Sequence, residues 1–157
     1  MPPTKDMRWP RTVYLINEVN LAVRTRMERA LRDHELTVAQ YSVMSLLVSP
    51  PKDGRDGISS AKIARARRVS PQSINELIVG LETRGLVARL GDPDNRRELL
   101  VSLTRIGRDK LTACDAAIDD VERELFADLD TATHKQLRTI LNALVGTIRR
   151  TDKSRDG

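Results

Sequence analysis

The chain has 157 residues, of which 39% are hydrophobic, 3% aromatic and 31% charged, with 27 Lys/Arg against 22 Asp/Glu for a net charge of +5. That length allows one domain, or one domain with an appended oligomerisation element, and is enough for a core. A lone cysteine excludes an intrachain disulfide framework and a cysteine-rich zinc site. No stretch approaches the ~20 apolar residues of a membrane span, and MPPTKDMRWPR lacks an apolar signal core, so a cytoplasmic protein with no membrane partner is expected.

The placement of charge is more informative than its sum. Residues 58–105 carry nine Lys/Arg against five Asp/Glu, net +4, whereas residues 1–57 carry +2 and residues 106–157 carry −1. A positive excess concentrated in one stretch fits a local nucleic-acid footprint.

Residues 11–33 read as a long amphipathic helix, with Pro10 suited to its first position and Val13, Ile16, Val19, Val23, Met27 and Leu31 recurring every three or four residues. Leu15 and Ala22 add a second apolar strip, so this helix wants two partners, one of them on another chain. Thr37-Val38-Ala39-Gln40 is a capping box opening a helix through Val48, with Tyr41, Met44, Leu47 and Val48 inward. The segment 49–57, SPPKDGRDG, reads as a loop. Ser59 or Ser60 then caps a helix to about Arg67, with Ile63 and Ala64 inward and Lys62, Arg65 and Arg68 outward.

Only Arg68-Val69-Ser70 separate that helix from the next, the spacing of a helix-turn-helix. Ser70 can cap the second helix and Pro71 suits its first turn, because proline has no N–H to leave unpaired. Ile74, Leu77, Ile78 and Leu81 give it one buried face, and Arg84-Gly85 ends it. Leu86–Leu90 and Leu99–Leu103 flank GDPDNRR, which predicts a β-hairpin with a cationic tip. From Thr104, a heptad-like seam of Leu111, Cys114, Ile118, Val121 and Leu125 marks a long helix. Asp130 or Thr133 caps a last helix with a stripe of Leu137, Ile140, Leu141, Leu144, Val145 and Ile148. Both stripes are expected to be buried between helices, Val121 and Leu141 included. Residues 151–157 are expected to be disordered. The predicted fold is mainly α with a small β-hairpin wing.

In this order and spacing, LTVAQYSVMSLL (36–47), ISSAKIARARRVSPQSINELIVGLETRGLV (58–87) and DPDNRRELLVSLT (92–104) resemble the MarR family of winged helix-turn-helix regulators. The resemblance covers about residues 11–150. It implies a winged helix-turn-helix DNA-binding domain at 36–103 and a helical dimerisation region formed by 11–34 and 104–150. It further implies a homodimeric transcriptional regulator, usually a repressor, that binds a pseudo-palindrome in double-stranded DNA and is often released by a small-molecule effector. Two residues depart from the pattern: Asn95 where the wing usually has Asp before its arginine pair, and Asn75-Glu76 where Thr-Arg is common.

On this resemblance the DNA-contacting set is Ser70, Pro71, Gln72, Ser73, Asn75 and Glu76 on the second helix. Lys62, Arg65 and Arg68 would lie on phosphate, and Arg96 and Arg97 at the wing tip in the minor groove. The bland alternative is an ordinary solvated helix face for the helical residues and a solvent-facing charged hairpin tip for Arg96 and Arg97. The family's effector pocket lies where dimer helices meet the winged domain, and Trp9, Tyr14, His34, Tyr41 and Met44 are the candidates. Cys114 reads as a small buried residue, since the reactive cysteine of peroxide-sensing relatives sits in the first helix. His34 and His134 belong to no metal-ligand motif and take surface or capping roles. No Ser/His/Asp set, metal cluster or phosphate loop is present, so neither catalytic residues, metal nor cofactor are expected. The competing function is a winged helix that acts as an architectural or protein-interaction module without a regulated operator.

Overall fold

Local signals in the chain set the element boundaries. The computed structural model describes residues 11–48, 57–91 and 99–153, with side chains described as far as Thr151. Helix α1 (Thr12–Arg32) begins one residue after Arg11 and leads through a turn at His34 into α2 (Val38–Val48). The capping box forms as expected: Gln40 N–H donates to Thr37 Oγ1 at 3.1 Å, and Thr37 N–H donates to Gln40 Oε1 at 3.1 Å. Strand β1 (Ile58–Ser59) precedes α3 (Ser60–Arg67), whose N-cap is Ser59. Helix α4 (Pro71–Thr83), strands β2 (Val87–Gly91) and β3 (Leu99–Leu103), and helices α5 (Arg105–Leu125) and α6 (Thr131–Lys153) follow.

The expected two-stranded hairpin is one part of a three-stranded antiparallel sheet in the order β1-β3-β2. Ile58 and Ser59 pair with Val101 and Leu100, and β2 pairs with β3 from Val87–Leu103 to Gly91–Leu99. A two-residue strand is too short to show an alternating pattern, which is why β1 left no sequence signal. Gly57, at φ +141°, makes the pairing possible: a Cβ there would sit 2.8 Å from the Val101 carbonyl oxygen. The strand after α4 starts one residue later than expected, because Leu86 is spent in the turn, its N–H donating to Leu81 O at 3.0 Å.

The chain divides into two compact units, residues 1–121 and 122–157. In the first, the core is built from Leu31, Val43, Met44, Ile63, Ile74, Ile78, Leu81, Val101, Leu111 and Cys114, all at or below 2% exposure. Most of the inward positions expected for α3 and α4 are therefore in place. On α2, Val48 is 57% exposed and Val43 is buried in its stead. Val43 and Met44 are adjacent, so the buried face of α2 is centred one residue away from the stripe read in the sequence. Along α5, Val121 is 9% exposed. Apolar side chains remain uncovered on α1, including Val13, Ile16, Val19 and Leu21.

In the second unit, Asp130 caps α6 by accepting from Thr133 N–H at 2.7 Å, and that bond holds its carboxyl below the usual range. His134 stacks on Phe126 at 4.8 Å and lies 3.5 Å from Glu122. The expected apolar stripe of α6 is exposed within the single chain, with Ile140 at 50% and Leu141 at 45%. Helix α6 runs to Lys153, three residues into the stretch expected to be disordered, since neither proline nor glycine interrupts it there.

Candidate nucleic-acid interface

Helix α3 ends in a turn of three residues. Arg68 adopts the left-handed conformation at φ 56°, a position usually given to glycine, and Val69 N–H closes on Ala64 O at 3.2 Å. Ser70 follows as the N-cap of α4: its Oγ accepts from Ser73 N–H at 3.1 Å and lies 2.8 Å from Ser73 Oγ. Pro71 occupies the first turn. Below the turn, Ile63 and Ala64 of α3 share the core with Ile74, Ile78 and Leu81 of α4.

On α4 the buried face of Ile74, Ile78 and Leu81 leaves Pro71, Gln72, Ser73, Asn75 and Glu76 exposed on the opposite side, together with Ser70. Lys62, Arg65 and Arg68 are exposed along α3 and its turn, joined by Arg67, a cation that the sequence reading passed over. No acidic residue stands in the first turn of α4, so the positive end of its dipole is uncompensated there. Helix α4 and the neighbouring basic helix thus present base-reading side-chain types flanked by phosphate-binding ones. Arg96 and Arg97, expected at the wing tip, lie outside the described residues, as does Asn95.

Two side-chain couplings cross this surface. Gln72 Nε2 donates to Glu76 Oε1 at 3.2 Å, one turn along the helix. From β2, Arg89 reaches back to α4: its Nη2 donates to Asn75 Oδ1 at 3.0 Å, and its Nε lies 3.3 Å from Glu82 Oε2. That Nε contact is an ion pair and not a hydrogen bond. Arg89 was not singled out in the sequence because nothing in LVARL distinguishes it from a solvated strand residue. Its significance appears only when β2 folds back beside α4.

The far end of α4 is tied down as well. Arg84 Nη1 donates to the Glu35 carbonyl at 2.6 Å, and Gly85, at φ 68°, turns the chain into β2. Thr104 Oγ1 donates to Gly85 O at 2.6 Å while accepting from Gly107 N–H at 2.9 Å, so the start of α5 is bonded to the end of α4.

The expected effector-pocket residues are dispersed in role. Met44 is fully buried in the core, Tyr14 is 60% exposed on α1, and His34 is half-buried in the turn after α1. Tyr41, three residues before Met44 on α2, donates from its hydroxyl to Asp115 Oδ1 at 2.8 Å. Trp9 lies outside the described residues. Cys114, next to Asp115, is fully buried, and burial pushes its thiol up, with Lys110 pulling the other way. Among the described residues there is no group of three or more His, Cys, Asp or Glu placed to hold a metal ion. No helix among them is long and apolar enough to cross a membrane.

The helix-turn-helix, the sheet behind it and the basic face define a winged-helix protein built to bind DNA. Residues 34–98 match the family model described as MarR family. The HTH-type transcriptional repressor Rv2887 of Mycobacterium tuberculosis is 28% identical over 131 residues, covering 83% of this chain and 91% of that protein. Its crystal structure in complex with DNA superimposes with a TM-score of 0.72 at 26% identity, covering 87% of this chain and 98% of that one. The transcriptional regulator HosA of Escherichia coli O111:H- is 32% identical over 95 residues, 60% of this chain and 67% of HosA. CouR of Rhodococcus jostii RHA1, solved bound to p-coumaroyl-CoA, superimposes with a TM-score of 0.74 at 28% identity, covering 84% of this chain and 90% of that one. The chain belongs to the MarR family of transcriptional regulators.

Proposed function

We propose that the protein is a cytoplasmic transcriptional repressor that binds a pseudo-palindromic operator as a homodimer and leaves it when a small molecule binds. The observation that carries this reading is the exposed N-terminal half of α4, bearing Gln72, Ser73, Asn75 and Glu76 beside the cationic Lys62 and Arg65. Each subunit places one such helix in a major groove, with Lys62, Arg65 and Arg68 on phosphate and Arg96 and Arg97 of the wing in the adjoining minor groove. Residues 36–103 form the reading domain, and residues 11–34 and 104–150 form the dimerisation region. The uncovered apolar side chains of α1 and α6 support that division, since exposed stripes of this kind need a partner. A Mycobacterium tuberculosis relative solved on DNA, and a Rhodococcus relative solved with an aromatic acyl-CoA, support both the DNA and the effector parts of the reading. Tyr14, His34, Tyr41, Met44 and Trp9 are the candidate effector contacts. The effector acts by differential affinity, favouring a spacing of the two reading helices that the duplex does not match. The chemistry is binding rather than catalysis.

Footprinting on the DNA upstream of the gene, repeated with a panel of aromatic acids and their thioesters, tests this. A protected pseudo-palindrome that is lost with one compound supports the reading. Uniform weak protection, unaffected by any compound, refutes it.

A further inference from the structure

The proposed base-reading face contains two carboxamides, and the fold treats them differently. An asparagine that reads adenine uses both ends of its amide at once, accepting from N6 and donating to N7. In this protein the oxygen end of Asn75 is already engaged. Arg89 Nη2 donates to Asn75 Oδ1 at 3.0 Å, while Arg89 Nε is anchored 3.3 Å from Glu82 Oε2, two helical turns further along the same face of α4. The arginine side chain is 23% exposed, so its position is set by the strand and helix it lies between. Asn75 Nδ2, with two protons, has no partner among the described residues. Gln72 has the opposite polarity: its Nε2 is spent on Glu76 Oε1 at 3.2 Å, leaving an amide oxygen beside a carboxylate.

We infer that Arg89 is a specificity-determining positioning residue: by holding Asn75 Oδ1 toward the wing strand, it makes Asn75 a hydrogen-bond donor to the base edge. The matching edge is one of acceptors, guanine O6/N7 or thymine O4, and not the mixed donor–acceptor edge of adenine. Adenine N6–H₂ would meet the protons of Nδ2, donor against donor. Gln72 Oε1 and Glu76, both acceptors, correspondingly suit the amino group of cytosine or adenine. The inference rests on the reading of α4 as the DNA-contacting helix.

The test is selection of binding sites from a random duplex library by the full-length protein, by Asn75→Ala and by Arg89→Met, with affinities for the enriched duplexes measured at two salt concentrations. The position whose preference disappears in Asn75→Ala is the one Asn75 reads; that substitution is at an exposed site and leaves the core intact. The expected result is guanine or thymine at that position in the wild type, with a discrimination against adenine of about tenfold. In Arg89→Met, adenine should gain there relative to guanine and thymine while the other positions keep their preferences. Adenine already preferred at that position by the wild type overturns the inference without touching the DNA-binding reading. So does an Arg89→Met protein that weakens on all sequences alike with a salt slope lower by about one, the behaviour of a phosphate contact. Failure of the wild type to enrich any sequence removes the DNA-reading function itself, and the inference with it.

Discussion

The Tyr41 hydroxyl donates to Asp115 Oδ1 at 2.8 Å, joining α2 to α5 across 74 residues of chain. Burial, reinforced by that bond and by the negative charge of Asp115, raises the Tyr41 pKa from 10.0 to about 12. A hydroxyl whose neutral form is favoured in the folded state loses its contribution as the proton leaves. The stabilisation is therefore complete below pH 10 and is lost as pH rises from 10 toward 12. Tyr41→Phe should cost about 1 kcal/mol at neutral pH by urea unfolding. It should also delete a step near pH 12 from the tyrosinate absorbance titration. Loss of a step at the ordinary tyrosine value of 10.0 instead would show that the Tyr41–Asp115 bond does not form in solution.

Two helical glycines should respond with opposite signs. Gly107, in the first turn of α5, lies against Leu86 so closely that a Cβ would overlap the Leu86 carbonyl oxygen, which is backbone and cannot rotate away. Gly107→Ala should destabilise by roughly 3 kcal/mol and disturb the α4–β2 turn that Thr104 clamps. Gly80, inside α4, would meet only Gln40 Nε2, at 3.6 Å. Gly80→Ala should stabilise by about 0.5–1 kcal/mol through helix propensity. Thermal unfolding of the pair gives both signs in one experiment.

A charge on the apolar stripes should separate folding from assembly. Val121 is 9% exposed within the subunit, whereas Leu141 is 45% exposed. Val121→Glu should unfold the subunit, because a carboxylate there is buried without a partner. Leu141→Glu should leave the helix content of the subunit intact and shift sedimentation from dimer toward monomer. A Leu141→Glu protein that sediments as a dimer would take that stripe out of the interface.

The cations of α3 should act on affinity without acting on sequence choice. Lys62→Ala and Arg65→Ala are each expected to lower the slope of log K against log salt by about one and to weaken specific and scrambled duplexes alike. Fluorescence anisotropy over a salt series measures both. A loss confined to one sequence would make either residue a base reader.

What the sequence disclosed and what it hid follow from the range of the interactions involved. Caps and turns are local, so the Thr37–Gln40 box and Ser70 were legible in the sequence, and each of the other two caps was narrowed to a pair, Ser59 or Ser60 and Asp130 or Thr133, from which the structure uses Ser59 and Asp130. The stripe of α4 was legible because Ile74, Ile78 and Leu81 are buried on one face, with Leu77 partly buried beside them. Strand β1 was not, because two residues carry no period and the pairing partner lies more than 40 residues away in sequence. Val43 rather than Val48 faces inward because α2 is apolar nearly all round, so its sequence leaves the choice of face to the neighbouring elements. Within the candidate interface, the residue types on α4 were evident, but Arg89 was not. Its partners Asn75 and Glu82 come within reach only through the fold of β2 against α4.

The central claim is that this chain distinguishes one DNA sequence from others. It is tested most directly by the ratio of its affinities for the protected upstream duplex and for the same duplex scrambled, at one physiological salt concentration. A sequence-reading repressor gives a ratio of about 10³ or more. A ratio near one, with both affinities falling together as salt rises, would contradict the account and leave a winged helix that binds duplex without reading it.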